Sequence, residues 1–185
     1  DISVAQIILL ILVQNGQMRF RDIIKHSLTR QLGTVRSENS FYTALARLKR
    51  RRAIARCKGT GAVGYHYELT PAGEYAALKA YVRRELVETE KKKIVDGQSK
   101  AWDGKWRIVL FDVPESKRPL RDYIRGVLKR TGFHEFQRST WIYPRKLPEF
   151  LTKLITDPRI RKYTRSITSY DIDYDDDIRK YFNLI

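Results

Sequence analysis

Cysteine and histidine are scarce in this sequence, and the scarcity excludes several kinds of site. The single cysteine, Cys57, rules out a disulfide within the chain and a cysteine-rich zinc site. The three histidines, His26, His66 and His134, lack the spacing of metal ligands, so we expect them to be surface or packing residues. This cysteine usage is typical of a reducing compartment, and we expect a cytoplasmic protein.

Long apolar runs are also missing. The longest aliphatic run, Ile7 to Val13, is much shorter than the roughly 20 residues that a membrane-spanning helix needs. A buried helix explains it more simply, and no membrane partner is expected. Because the chain begins at Asp1 rather than at a methionine, a targeting segment cannot be judged.

Acidic residues are too few to balance the basic ones. The 185 residues include 37 Lys and Arg against 21 Asp and Glu, which gives a net charge of +16. Such an excess usually indicates a polyanionic partner, most often nucleic acid, although ribosomal-type packing and membrane surfaces favour the same sign. The length and the 42% of hydrophobic residues suit two small folded domains, which we place at 1–95 and 101–185.

The first predicted domain has three helices followed by a hairpin. Ser3 and Gln6 have the spacing of a capping box before an apolar run that ends at Gly16. Helices are predicted at 3–15, 19–28 and 37–52, and strands at 53–58 and 65–69. Three helices followed by a basic hairpin are typical of a winged helix-turn-helix, whose third helix enters the major groove of double-stranded DNA.

The third helix carries the candidate DNA-binding residues. At 100° per residue its core side contains Phe41, Ala44, Leu45 and Leu48. The opposite side carries Asn39, Thr43, Ala46 and Arg50, flanked by Tyr42 and Arg47. Asparagine can pair with adenine and arginine with guanine, while small residues allow close approach. Phosphate contacts are expected from Lys49, Arg51 and Arg52, and from Arg56 and Lys58 in the hairpin. The alternative is a solvated amphipathic helix with a basic end.

The glycine-rich turn at 59–64 also matches G-x-G-x-x-G. A dinucleotide site requires these glycines between a strand and a helix, whereas a second strand follows here, so we reject that interpretation. Thr70-Pro71 then predicts a helix start. Its apolar stripe would be Tyr75, Leu78, Val82 and Leu86, and a linker is predicted at 96–99.

The second domain has the predicted order β-α-β-β-α-β. Strands are expected at 106–111, 133–137, 139–143 and 165–170. The first helix carries Leu120, Ile124, Val127 and Leu128 and stops at Gly132, the second spans 147–156, and an acidic tail follows. This order is that of a ferredoxin-like fold, so the whole chain is predicted to be α+β. One face of such a sheet must be covered or wet, and its aromatic-rich positions favour a homodimer formed through this domain.

Several strings carry a resemblance to a known family. They are WDGKWRIVLFDVPESKRPLRDYIRGVLKRTGF at 102–133, QRSTWIYP at 137–144 and IRKYFNLI at 178–185. The chain resembles PaaX-type repressors, regulators of phenylacetate catabolism that join a winged helix to a domain similar to the small CRISPR-associated Cas-two proteins. Features similar to the Cas-two family are Phe111-Asp112, Arg118, Gly132-Phe133, Gln137, Ser139 and Trp141. The closest likeness is to short PaaX-like proteins without a further C-terminal domain, so a CoA-thioester effector is not expected and any small-molecule effector stays open.

Asp112 is the candidate catalytic or metal residue. In Cas-two relatives the aspartate that ends the first strand is the candidate ligand, and one carboxylate per subunit could hold Mg²⁺ loosely. No second ligand accompanies it at a useful local spacing. We therefore favour a helix cap for the helix that begins near Glu115 and expect no cofactor. Asp173, Asp175, Asp176 and Asp177 lack the pattern of a calcium loop and are expected to form a solvated or self-covering tail.

The leading hypothesis is a sequence-specific, homodimeric DNA-binding regulator, a repressor by its PaaX likeness and not an enzyme. The rival is a Cas-two-like protein of CRISPR adaptation, either a DNA-binding subunit of the spacer-integration complex or a Mg²⁺-dependent nuclease that uses Asp112. A third hypothesis is an architectural DNA binder with little sequence preference.

Overall fold

The computed structural model describes residues 3–29, 37–58, 65–96 and 102–184. It divides into two compact units, Asp1–Arg84 and Glu85–Ile185. The predicted glycine-rich turn at 59–64 and most of the predicted linker lie outside the described residues. The predicted domain limits, 1–95 and 101–185, stay a prediction.

The first unit has the element order of a winged helix-turn-helix. Its elements are α1 (Val4–Asn15), β1 (Met18–Arg19), α2 (Phe20–Thr29), α3 (Glu38–Arg50), β2 (Ile54–Lys58) and β3 (Tyr65–Leu69), followed by the start of α4 (Pro71–Asp96). The strands form an antiparallel sheet in the order β1-β3-β2. The three helices and the hairpin were predicted. The two-residue strand β1 was not, because two residues show no periodicity.

Local capping and a shared core explain this unit. The Ser3 hydroxyl accepts a bond from the Gln6 N–H at 3.3 Å, and the Gln6 side chain accepts one from the Ser3 N–H at 2.9 Å, which completes the predicted capping box. The buried apolar side chains of α1 join those of α2, α3, β2 and α4 in one cluster. Burial of this cluster fixes which side of α3 is left for solvent.

The start of α4 is fitted closely against the end of α3. The Thr70 hydroxyl donates to the Arg52 carbonyl at 2.6 Å and accepts from the Gly73 N–H at 3.2 Å. A Cβ at Gly73 would lie 1.8 Å from the Ala53 carbonyl oxygen. Glycine is therefore required by space.

The apolar stripe of α4 differs in part from the prediction. Val82 and Leu86 are buried as predicted, but Tyr75 and Leu78 are only half-buried. Instead, the small side chains of Ala77 and Ala80 are buried.

The second unit is a ferredoxin-like domain, as predicted. It contains β4 (Trp106–Phe111), a 3-10 turn (Glu115–Lys117), α5 (Arg118–Thr131), β5 (His134–Gln137), β6 (Thr140–Tyr143), α6 (Glu149–Thr156), β7 (Thr164–Ser169) and α7 (Asp176–Tyr181). All neighbouring strands are antiparallel, in the order β5-β6-β4-β7. The helix α5 ends at Gly132, whose φ of 103° is one that glycine adopts without strain.

The C-terminal segment covers part of this sheet and contains a helix, α7, that was not predicted. Trp106 and Ile142 of the sheet form a buried cluster with Ile178 of α7. Asp175 is buried, and it accepts bonds from the Trp106 indole N–H at 3.0 Å and from Arg179 Nε at 2.7 Å. Asp173, Asp176 and Asp177 are exposed, as expected for solvated residues. Ile167 of β7 lies opposite Ile108 in register and is 49% exposed.

Candidate nucleic-acid interface

Helix α3 has one buried side and one exposed side, as predicted. Its predicted core residues Phe41, Ala44, Leu45 and Leu48 are all buried. Its other predicted residues are all exposed: Asn39, Tyr42, Thr43, Ala46, Arg47, Lys49 and Arg50. The sequence period therefore identified the solvent-facing side correctly, and this side is available to a ligand.

Two side chains on this side have different hydrogen-bonding states. The Asn39 amide forms no side-chain hydrogen bond with another described residue, so its donor and acceptor are available together. The Thr43 hydroxyl donates to the Asn39 carbonyl oxygen at 2.9 Å. A threonine hydroxyl has one hydrogen, so this bond uses the donor of Thr43.

Tyr42 is held beside the same surface by an aromatic contact. Its ring lies 4.5 Å from the ring of Phe20, the first residue of α2, and the residue is 56% exposed. The contact limits the positions of an otherwise exposed ring. Tyr42 thus flanks the exposed side of α3 with its ring packed on Phe20.

The basic end of α3 continues through a turn into the hairpin. Arg47, Lys49, Arg50, Arg51 and Arg52 are all exposed, and none of them forms an ion pair with another described residue. Arg52 has a φ of 52°, and the Ala53 N–H donates to the Leu48 carbonyl at 2.9 Å, so the chain turns sharply there. The turn keeps five cations within six consecutive positions at one end of the helix.

The hairpin adds Tyr65, a site residue that the sequence analysis missed. The Arg56 guanidinium carbon lies 3.0 Å from the centroid of the Tyr65 ring. Because Lys58 pairs with Tyr65 and Arg56 with Tyr67, the two stacked residues are diagonal neighbours across β2 and β3. The strand ranges alone did not show this contact, because it depends on the register of the hairpin. The side chain of Lys58, another predicted phosphate contact, lies outside the described part of the chain.

The excess of positive charge is concentrated in the first unit. Residues 1–84 contain 15 Lys and Arg but only 5 Asp and Glu, whereas residues 85–185 contain 22 and 16. The first unit thus has a net charge of +10 and the second of +6, although the second unit is longer. The attraction for a polyanion is therefore strongest where the exposed side of α3 lies.

Many cations of the second unit are paired with carboxylates. Arg121 binds Glu115 at 2.7 Å, and Arg130 binds Glu90 at 3.0 Å. The hydrogen bond from Arg121 lowers the pKa of Glu115. Such pairs neutralise each other, in contrast with the five cations at the end of α3, which have no ion-pair partner in the part of the chain that the structure describes.

The WDG string of the resemblance has a structural role. The guanidinium of buried Arg107 binds the carboxylate of Asp103 and thereby lowers the pKa of Asp103 to about 2. Trp102 packs on Trp106 with 4.8 Å between the ring centroids, and Gly104 has a φ of 71°. These contacts fix the entry into β4.

Asp112 does not cap a helix, so that prediction was wrong. Pro114 is the N-terminal flanking residue of the 3-10 turn, and no side chain caps it. Asp112 is exposed, and its backbone N–H donates to the Tyr163 carbonyl at 2.8 Å. Its carboxylate forms no bond with another described residue. The strand pairing of β4 with β7 continues to Asp112 and places it before the turn.

No group of three His, Cys, Asp or Glu residues that could hold a metal ion occurs within the described ranges. In the same ranges, no helix has the length and apolar character needed to cross a membrane.

The fold and the exposed side of α3 define a class: a winged helix-turn-helix unit joined in one chain to a ferredoxin-like unit. Comparison with known families is more specific. Residues 99–180 match the model described as the PaaX protein central Cas2-like domain. This part of the chain is therefore similar to the Cas2-like domain of PaaX proteins, which confirms the resemblance there and the fold of the second unit.

No protein of curated function matches the chain. One similar solved structure is the uncharacterized protein Rv0674 from Mycobacterium tuberculosis, which is 19% identical with a TM-score of 0.36. The match covers 78% of this chain, and this chain spans about half (52%) of that protein.

Proposed function

We propose that this protein is a sequence-specific regulator of transcription that binds double-stranded DNA through its first unit. The observation that carries the proposal is the exposed side of α3, where Asn39, Thr43 and Arg50 lie opposite a fully buried side. An amide, a small side chain and a guanidinium are groups that read base edges in the major groove. The match to a PaaX domain supports a regulator, and repression is the mode that this likeness favours.

The residues have separate roles in this proposal. Asn39, Thr43 and Arg50 contact bases, with Tyr42 and Arg47 at the edges of the contact. Phosphates are bound by Lys49, Arg51, Arg52, Arg56 and Lys58. Phosphate contacts set the orientation and most of the salt dependence, whereas base contacts set the sequence preference.

We also propose that the second unit joins two copies into a homodimer. Ile167 remains 49% exposed and Phe136 43% exposed on the second unit. Two copies related by a twofold axis would bind two half-sites of a palindrome, so the spacing of the half-sites would report the dimer geometry.

The test is selection of bound fragments from a random duplex library at roughly 150 mM salt, where phosphate contacts alone bind weakly. The expected result is an enriched palindromic motif with intact DNA, in the presence or absence of Mg²⁺. A library that shows no enrichment would contradict sequence-specific binding.

The same experiment tests the nuclease alternative, which is favoured by the exposed carboxylate of Asp112, unbound by any other described residue. Cleavage that requires Mg²⁺ and disappears in Asp112→Ala would replace the regulator by a metal-dependent nuclease. Intact DNA in all samples would leave Asp112 without a catalytic role.

A further inference from the structure

Two neighbouring residues on the exposed side of α3 differ in the hydrogen-bonding groups that they leave free. Asn39 and Thr43 are four positions apart and therefore lie on the same side of the helix. The Asn39 amide is unbonded among the described residues, whereas the Thr43 hydroxyl donates back to the Asn39 carbonyl at 2.9 Å. Only one of the two side chains retains a free hydrogen-bond donor.

The bonded hydroxyl changes what Thr43 offers to DNA. Because its oxygen turns back onto the preceding turn of the helix and its one hydrogen is used there, this exposed side chain offers a ligand its methyl group and an acceptor lone pair, but no donor. The apolar feature that the major groove offers to a methyl group is the 5-methyl group of thymine. Ala46, one turn further on, is small and exposed and leaves space for a base edge to approach.

From this geometry we infer that Thr43 is a thymine-methyl reader: each half-site contains a thymine recognised through the Thr43 methyl group, close to the adenine that pairs with the Asn39 amide. The inference rests on the proposed function and makes it more specific. Four helical residues span about 6 Å, which corresponds to roughly two base-pair steps of the duplex. The thymine is therefore expected within two base pairs of that adenine.

The first experiment alters the DNA. Each thymine of the selected duplex is replaced in turn by uracil, which pairs identically but lacks the 5-methyl group, and the dissociation constant is measured. One thymine per half-site is expected to weaken binding about fourfold when replaced, the value of one buried methyl-sized group. The other replacements should change binding less than twofold.

The second experiment alters the protein. Thr43→Ser keeps the hydroxyl and removes the methyl group, so it should bind the thymine duplex about fourfold more weakly and become indifferent to uracil. Thr43→Val keeps a methyl group and removes the hydroxyl, so it should bind nearly as wild type and keep its sensitivity to uracil. The reverse pattern would mean that the hydroxyl reads the base and would overturn the inference.

A matched control separates reading from folding. Thr156 at the end of α6 is also exposed, and its hydroxyl donates to the Thr152 carbonyl at 2.8 Å. Thr156→Ser therefore makes the same chemical change outside α3 and should leave the sensitivity to uracil intact. Thermal unfolding of each variant shows whether α3 is still folded.

The outcomes distinguish this inference from the proposed function. A selected motif whose thymines all tolerate uracil would overturn the role of Thr43 and leave sequence-specific binding in place. A library without any selected motif would overturn both.

Discussion

At the scale of the residue, the functional candidates differ in how firmly their neighbours hold them. Tyr42 rests on Phe20, Arg56 is stacked on Tyr65, and Thr43 is bonded to the backbone of Asn39. Arg50 has no ion-pair partner in the described ranges. A cation without a carboxylate partner can approach a base or a phosphate without first breaking a pair.

Arg50→Ala tests the proposed base contact. Loss of a bidentate contact to guanine should weaken binding to the selected duplex by about 1–3 kcal/mol and leave random DNA nearly unaffected. Fluorescence anisotropy with both duplexes is the measurement. Lys49→Ala, a proposed phosphate contact, is the comparison and should weaken both duplexes equally. Equal losses in Arg50→Ala would remove Arg50 from the base contacts.

Substitution of Tyr65 tests whether the stacking contact positions Arg56 before DNA binds. Tyr65→Ala removes the ring under Arg56, and at an exposed site such a contact contributes about 0.5–1 kcal/mol. We expect a loss of about two- to fivefold in affinity for selected and random duplexes alike. Tyr65→Phe keeps the ring and should bind as wild type. If both variants lose affinity equally, the phenol hydroxyl rather than the ring is responsible.

Substitution of Asp175 tests how much its bond to Trp106 contributes to holding the C-terminal segment on the sheet. Asp175→Ala leaves the buried Trp106 N–H without an acceptor, and the free energy of unfolding should fall by about 1–3 kcal/mol at pH 7. Asp173→Ala, at an exposed position, should have little effect.

The pH dependence of the free energy of unfolding follows in part from the pKa of Asp175. The bond from Arg179 holds this pKa below its ordinary value, so the folded state favours the ionised carboxylate. That stabilisation is complete above the unfolded pKa of about 3.9 and is lost as the pH falls through the folded value. Denaturant unfolding should therefore show a constant difference between wild type and Asp175→Ala from pH 7 to about 5, which shrinks below about pH 4. A difference independent of pH would mean that ionisation of Asp175 is not involved.

At the scale of the element, close packing decides where α4 begins. The helix starts at Pro71 because Thr70 caps it, but its first turn also touches the residue that follows the basic end of α3. The position of α4 therefore supports the turn that carries Arg51 and Arg52.

Two glycine-to-alanine substitutions separate packing from helix propensity. Gly73→Ala would place a Cβ against the Ala53 carbonyl and should lower the free energy of unfolding by at least about 1–3 kcal/mol. Gly126 on α5 has open space at the same position, so Gly126→Ala should raise stability by about 0.5–1 kcal/mol. Thermal unfolding of both variants shows whether each substitution lowers or raises the stability. A stabilised Gly73→Ala variant would show that α4 moves easily against β2.

At the scale of the whole molecule, the charges of the two units differ in number and in pairing. The first unit has a net charge of +10, and the cations at the end of α3 form no ion pair among the described residues, whereas many cations of the second unit bind carboxylates. This distribution favours strong attraction of a polyanion by the first unit over uniform attraction across the chain.

The salt dependence of binding tests this distribution and the dimer together. Five phosphate contacts per copy predict that log K falls with log salt at a slope of about −4.5 for one winged helix and about −9 for two. Binding should be measured between 50 and 200 mM salt, together with sedimentation of the free protein. A slope near −4.5 from a protein that sediments as a dimer would mean that only one winged helix binds at a time.

The sequence by itself determined the parts that depend on local patterns. Helical spacing separated the two sides of α3, the Ser3–Gln6 spacing predicted the start of α1, and the apolar run ended by Asp112 and Pro114 predicted β4. Local backbone geometry imposes these periods, so they can be recognised without any tertiary contact.

Only the tertiary structure decided which distant groups meet. Asp175 is buried because an indole 69 positions away supplies its hydrogen bond, and the pairing of β1 with β3 joins segments about 48 positions apart. The side chain of Asp112 resembled a helix cap by spacing, yet the strand pairing of its own backbone with Tyr163 placed it elsewhere. Such contacts arise from burial and pairing between elements, and their free energies are not visible in any local window of the sequence.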